Sequence, residues 1–319
     1  MIENLLHSML ALGGRILTQG RLSILIYHQV LPEYDALRPN EPTVAIFDWQ
    51  MALIRRYFTP ISLAEGVRRL ADKTLPSNAV CVTFDDGYLN NLTLAQPVLE
   101  KHGIPATVYI ATGFSEGKNM WNDRILHLFE QRDLKQLNLP GETIQIPEQD
   151  DARREIAYSL LRKSKYLPPV QRDAFVDELY ALNPQVVEAQ SKMLTPEQVR
   201  QLAALGVTIG AHTVEHPILA VLDEQQQLQQ IRDSKQRIEA WLKQPVEHFA
   251  YPNGVWPKDL TQDTIDIVKS LGFSSAVITN WGAAKQETSA FALPRFTPWD
   301  RSKLKFHIRL LLNILRHKI

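Results

Sequence analysis

Ala79-Val80-Cys81-Val82-Thr83-Phe84-Asp85-Asp86-Gly87 is the stretch that decides how this chain folds. An apolar, β-branched run ends abruptly in two carboxylates and a glycine, the pattern of a buried strand closed by a turn. A second stretch repeats the design: Val207-Thr208-Ile209-Gly210-Ala211 runs into His212-Thr213-Val214-Glu215-His216-Pro217. Polar side chains at the ends of two such strands can converge on one face of an α/β domain. One Asp with two His suits a divalent catalytic metal that keeps an open position.

Working outward, Ser23-Ile24-Leu25-Ile26-Tyr27-His28 reads as an earlier buried strand that ends in a polar pair. Helices are expected from Phe47 to Tyr57, from Ser62 to Leu70 and from Leu92 to His102, the last stopped by Gly103. Further strands are expected at Ala106 to Ile110, Glu247 to Tyr251 and Ser274 to Thr279. Such alternation argues for a mostly parallel sheet or a barrel. Between about 119 and 193 it lapses: strand signals thin out and charged helical stretches surround Leu139-Pro140-Gly141. That segment reads as a helical insertion. The α/β pattern resumes at Thr195-Pro196-Glu197-Gln198, a cap residue with proline first in the helix and glutamine three after the cap. Asp223 can cap another helix, with Leu228, Ile231, Ile238 and Trp241 as its apolar stripe.

Bulk properties exclude more than they assign. Charges balance at 35 basic and 35 acidic in 319 residues, so the molecule carries no overall nucleic-acid footprint. The single cysteine, Cys81, rules out an intramolecular disulfide framework and reads as a small buried hydrophobe. Residues 1–21 read as an N-terminal helical segment. Glu3 precedes any positive charge there and Arg15 interrupts the apolar run, unlike a secretory signal. No stretch approaches the ~18 apolar residues of a membrane span. A cytoplasmic protein is the expectation. Residues 301–319 carry six basic residues, Arg301, Lys303, Lys305, Arg309, Arg316 and Lys318, and no acidic one. Leu304, Ile308, Leu311, Leu312 and Leu315 recur there at helical spacing. This basic amphipathic helix is either a packed terminal helix or a peripheral contact with the inner face of a membrane. Oligomeric state is left open.

The chemical residues each have a plain reading beside the functional one. His212 and His216 lie four apart, so a helical or turn-like segment puts both rings on one side. No Glu follows the first His, which excludes the zincin motif, and two surface histidines remain the alternative. Asp-Asp-Gly is common turn chemistry. With a metal present, however, Asp86 can bind the cation while Asp85 stays unligated and accepts a proton from the attacking water.

Taken together these motifs resemble the polysaccharide deacetylases, the NodB-homology carbohydrate esterases. Thr83-Phe84-Asp85-Asp86-Gly87 and His212-Thr213-x-x-His216-Pro217 look like the first two signatures, and Phe249-Ala250-Tyr251-Pro252-Asn253-Gly254 is similar to the third. Leu293-Pro294-Arg295 resembles the Arg-bearing motif near the end of the domain, and Tyr27-His28 resembles the exopolysaccharide branch. The resemblance implies a deformed (β/α) barrel of fewer than eight strands over residues 22–300, interrupted by the helical insertion. It implies a metal-dependent hydrolase removing N-acetyl groups from an N-acetylhexosamine-containing polysaccharide or its lipid-linked precursor, so the expected partner is an acetylated glycan. Asp86, His212 and His216 would hold the divalent metal, usually zinc, and Asp85 would be the base. The Tyr251 backbone N–H would hold the oxyanion. Many relatives begin the third motif with Arg where this chain has Ala250, so Arg295 takes the role of keeping Asp85 in place and ionised. No Leu-x-His acid is found after Gly272, and His307 sits in the basic helical tail. His28 is the candidate acid, its alternative being an ordinary rim histidine. Two other functions stay in view: hydrolysis of a small acylated amine or cyclic amide, and a non-catalytic glycan-binding barrel.

Overall fold

The computed structural model describes residues 2–315 of the chain; Arg316, Lys318 and the Leu315 side chain lie outside the described residues. In chain order the elements begin α1 (Ile2–Leu17), β1 (Ser23–Tyr27), α2 (Val44–Tyr57), β2 (Thr59–Pro60), α3 (Leu63–Ala71), β3 (Ala79–Phe84), α4 (Gln96–His102) and β4 (Ala106–Ile110). The insertion follows with α5 (Trp121–Glu130), β5 (Gln136–Leu139), β6 (Glu142–Gln145), α6 (Asp150–Ser164) and α7 (Pro169–Leu182). The chain then runs through α8 (Pro196–Ala204), β7 (Thr208–Ala211), α9 (Glu224–Leu242), β8 (His248–Ala250), α10 (Gln262–Ser270), β9 (Ser275–Val277) and α11 (Lys303–Leu315).

The main sheet runs β1-β3-β4-β7-β8-β9, with the short β2 beside the start of β3, and its pairings are parallel. Its strands are mostly apolar and largely buried because both faces are covered. Leu25, Val80, Val82, Val108 and Phe249 pack toward the outer helices. Their alternating neighbours Ile24, Cys81, Tyr109, Ala250 and Val277 form the inner cluster, to which α3 adds Leu63 and Leu70. The sheet is curled, and its two edges meet through one extended segment. Leu293 bridges Val277 of β9, and Phe296 bridges Leu25 of β1. The main-chain bonds Ile278 N–H to Leu293 O (2.9 Å) and Phe296 N–H to Ile24 O (2.8 Å) fix it there. Arg295 therefore stands on the stave that closes the barrel.

The capping signals act as read: Thr195 and Asp223 both form capping boxes, on α8 and α9. Two expectations change. The insertion is not wholly helical, since Pro140-Gly141 turns a two-stranded hairpin, β5 with β6. On α11, the buried face is Phe306, Leu310 and Ile314, packed on the barrel, while Ile308 and Leu312 of the expected stripe are exposed. Cys81 is buried, and burial drives its thiol far above the ordinary range, which leaves it inert.

Candidate active site

Parallel pairing brings the strand ends to one rim, where ligand sites of α/β barrels form. His28 follows β1, Asp85 and Asp86 follow β3, His212 follows β7, and all line one cavity of about 500 Å³ with His216 and Asn253. Asp86, His212 and His216 each offer a ligand atom within 4.8 Å of the others. The Nε2 atoms of His212 and His216 stand 3.4 and 3.3 Å from Asp86 Oδ1. His212 Nδ1 lies 2.7 Å from the Ala250 carbonyl, which can only accept, so Nδ1 carries the proton and Nε2 turns a lone pair inward.

Burial drives the His216 imidazole down to about 3, so it too is neutral. Burial also opposes ionisation of Asp86, but positive charge between its oxygen and the two rings, a proton or a cation, outweighs it and holds the carboxyl well below the usual range. Asp86 Oδ1 is buried with no hydrogen-bond partner among the described residues. A carboxylate and two imidazole lone pairs pointed at one spot repel each other until a cation lies between them. The donor set fits a divalent metal with three protein ligands and an open fourth position.

Asp85 is held apart from that set. Arg295 Nη1 and Nη2 donate to its two carboxylate oxygens at 2.6 and 2.7 Å, a fork-to-fork pair with both residues buried. The guanidinium is itself fixed by bonds to the Ile278 carbonyl and the Thr83 hydroxyl, both at 3.2 Å. Burial pushes the Asp85 carboxyl up, and the Arg295 guanidinium overrides it, so Asp85 stays ionised below the usual range. Its Oδ2 is 3.9 Å from His212 Nε2, close enough to reach a water at the open position.

The sequence profile of the family described as "Polysaccharide deacetylase" matches residues 72–276, well over half of the chain. The chain belongs to the polysaccharide deacetylase family. It is a deacetylase that hydrolyses N-acetyl amide bonds of a polysaccharide. YxkH of Bacillus subtilis (strain 168), whose name assigns it provisionally to the polysaccharide deacetylases, is 23% identical over 277 residues, 86% of this chain and 71% of the relative. Among solved structures, the Streptococcus pyogenes deacetylase PplD in complex with acetate superposes with a TM-score of 0.60 at 20% identity, covering 93% of this chain and 99% of that one. IcaB from Ammonifex degensii gives 0.61 at 19% identity, covering 92% and 97%.

In this deacetylase the third motif turns differently from its reading in the sequence. Tyr251 does not line the cavity. Its N–H donates to Val277 O at 3.3 Å, its ring packs on Phe249, and its hydroxyl donates to Phe291 O at 3.0 Å. The strand ends at Ala250, and Pro252-Asn253-Gly254 then carries the backbone back toward the cavity, with Asn253 at φ 58° and Gly254 at φ 62°. Asn253 lines the site, and its N–H has no acceptor among the described residues. Asp86, Thr213 and His216 are also non-glycine residues at positive φ. Four of the seven such residues among the described ones thus cluster here, where surrounding bonds must hold them.

Those bonds come from residues that sequence reading missed. Arg172 of α7, 1% exposed, donates to the carbonyls of Glu215 (2.7 Å) and His216 (3.1 Å) and lies over the Trp121 ring at 5.1 Å. Gln230 of α9 accepts from the N–H groups of Val214 and Glu215 at 3.1 and 2.9 Å. A lone arginine in a charged helix carries no sequence signal of burial.

His28 lines the cavity, and its ring makes no hydrogen bond among the described residues. Burial lowers its pKa, but the carboxylates of Asp86, Glu41 and Asp85 outweigh this and raise it. His307 lies elsewhere, buried against His7 and Tyr57. Trp121, Tyr158 and Lys165 of the insertion complete one wall of the cavity.

Proposed function

We propose that this deacetylase releases acetate from an N-acetylhexosamine unit of a cell-surface or exopolysaccharide, free or lipid-linked, with zinc held by Asp86, His212 and His216. One observation carries the reading: a carboxylate, Asp85, is kept ionised by Arg295 beside a three-ligand site that does not need it as a ligand. A glycan-binding barrel has no use for that arrangement. Trp121 and Tyr158 give the cavity flat apolar walls suited to a sugar ring, which favours a glycan over a small acylated amine. The Tyr27-His28 pair supports the exopolysaccharide branch.

A bound divalent cation would supply Lewis-acid polarisation of the acetyl carbonyl and would acidify water at neutral pH. Asp85 accepts the proton of the attacking water, and Arg295 holds the carboxylate at the angle that reaches it. The oxyanion is held by the Asn253 N–H, which replaces Tyr251 in that role. His28 donates a proton to the departing amine as the C–N bond breaks, leaving acetate and a free amino sugar.

The test is acetate release from N-acetylglucosamine oligomers by zinc-loaded protein, beside a chelated sample and Asp85→Asn. The variant should keep its zinc and lose at least about 100-fold in kcat, the scale of a general base. Asp85→Asn that loses zinc would make Asp85 a ligand. Undiminished release after chelation would remove the metal from the reaction.

A further inference from the structure

α1 turns its apolar side away from the protein. Leu5, Met9, Leu12 and Ile16 form one helical stripe, and all four are exposed, Leu12 to 65% and Ile16 to 79%. Leu6 and Leu17 extend it. Eight of the sixteen exposed large hydrophobic side chains among the described residues lie on α1 and its neighbour α11, where Ile308 and Leu312 are the other two. A patch of this kind on a soluble surface marks a place of contact.

The helix is nonetheless docked in a defined orientation. The opposite side carries Gly14, where a Cβ would stand 2.9 Å from both Leu311 of α11 and the Asn78 side chain. Asn78 Nδ2 donates to the Ala11 carbonyl at 3.1 Å, and Thr18 Oγ1 donates to Asn78 Oδ1 at 2.9 Å. Rotating α1 to bury its stripe would break these bonds.

Beside the stripe lies a groove of about 440 Å³ between α1 and the end of α2, lined by Leu12, Arg15, Arg56, Thr59 and Ser77. Arg15 and Arg56 are exposed, and neither forms an ion pair among the described residues. Arg56 rests on the Tyr57 ring at 5.3 Å. On α11, Lys303 and Lys305 are exposed and likewise unpaired among the described residues, and no acidic residue occurs from Arg301 onward.

We propose that α1 and this groove form a docking surface for an anionic phospholipid bilayer. Leu5, Met9, Leu12 and Ile16 enter the headgroup–acyl boundary, Arg15 and Arg56 take phosphate groups in the groove, and the α11 lysines add long-range attraction. A second copy of the chain is the poorer occupant. Isologous pairing could cover the stripe, but α11 carries no acidic residue to offer the basic flank. Anionic headgroups match both the apolar stripe and its basic flank. This surface is separate from the catalytic cavity, so it stands or falls by binding and not by turnover.

The experiment is flotation of the full chain with phosphatidylcholine vesicles, with and without phosphatidylglycerol, at about 0.05 and about 0.5 M salt. Wild type should float with the anionic vesicles at low salt and largely dissociate at high salt. Arg15→Gln with Arg56→Gln should weaken binding about thirtyfold, the effect of removing two surface cations. Met9→Glu with Leu12→Glu should abolish it, with an unchanged circular dichroism spectrum because both side chains are already in water. Failure of wild type to float at low salt would overturn the proposal. So would equal binding to neutral vesicles with no loss in the arginine variant. Light scattering that shows a dimer, dispersed by Met9→Glu with Leu12→Glu and without vesicle binding, would make the stripe a self-association face instead.

Discussion

The proposed reaction depends on how one carboxylate, Asp85, is kept both buried and ionised. Asp85 is 2% exposed and would favour its neutral form without the bidentate Arg295 beside it. Removing the cation leaves a buried charge uncompensated. Arg295→Met should therefore cost about 3–5 kcal/mol in urea unfolding. It should also raise the Asp85 pKa, so any activity left has its acid limb shifted to higher pH. Arg295→Lys keeps the charge and loses the fork. For that variant kcat should fall while KM stays close to wild type, because the lysine cannot set the carboxylate angle. An acid limb that does not move in either variant would separate Arg295 from the protonation of Asp85. A neighbouring glycine answers to the same geometry. A Cβ on Gly210 would lie 2.4 Å from Tyr109 Cδ1 and 2.9 Å from the His248 carbonyl, and the Tyr109 ring is fully buried beneath Arg295. Gly210→Ala should destabilise the protein by about 1–3 kcal/mol through overpacking.

At the scale of elements, the insertion is part of the site. α7 reaches the second metal-binding motif through Arg172, whose two bonds hold the Glu215 and His216 carbonyls while His216 stays at φ 53°. Arg172→Met keeps the bulk against Trp121 and removes both bonds. Zinc affinity should then fall roughly 10–100-fold in competition with a chelator, the usual effect of losing a group that supports a ligand. Unchanged affinity would mean that Gln230 alone holds the loop. What the sequence could disclose follows from how local each cause is. β3 and β7 were legible because strands covered on both faces are mostly apolar, and the candidate metal ligands follow within a few residues. Arg295 was legible from Leu293-Pro294-Arg295, although nothing in that triplet shows that it closes the barrel. In the third motif the proposed oxyanion donor lies two residues beyond Tyr251, at Asn253. The oxyanion donor depends on where β8 stops and on the left-handed turn at Asn253, and both are set by tertiary bonds. In the insertion Pro140-Gly141 announced a turn, and Gln136–Leu139 alternates around the buried Leu137, but each strand has only four residues and Glu142–Gln145 is mostly exposed, too little pattern to mark a hairpin. Arg153 and Arg172, both 1% exposed, satisfy backbone carbonyls from far along the chain, which no local pattern encodes.

At the scale of the whole molecule, the first and last helices are joined to each other and to the barrel by a pair of histidines. His7 Nδ1 and His307 Nδ1 lie 2.8 Å apart, the rings are stacked, and Tyr57 of α2 packs against both. One Nδ1 must donate and the other accept, so at least one ring is neutral, and protonating both breaks the contact. Burial and then the adjacent His7 lower the His307 pKa to about 4. A histidine whose folded pKa lies below its unfolded value of about 6.5 contributes stability that is complete above that value. The contribution is lost as pH falls from there toward 4, because the unfolded chain binds the proton first. Allowing for water near the helix ends, the loss should be on the order of 2 kcal/mol across that window. His216 titrates in the same direction in metal-free protein, so the informative quantity is a difference between two proteins. His7→Phe with His307→Phe keeps flat rings stacked on Tyr57 and takes up no proton. Urea midpoints measured from pH 7 to pH 4 should fall less steeply in this variant than in wild type, with the two curves diverging below about pH 6.5. Parallel curves would mean that the pair is already charged or hydrated in the fold and that its titration does not set the stability of α1 and α11.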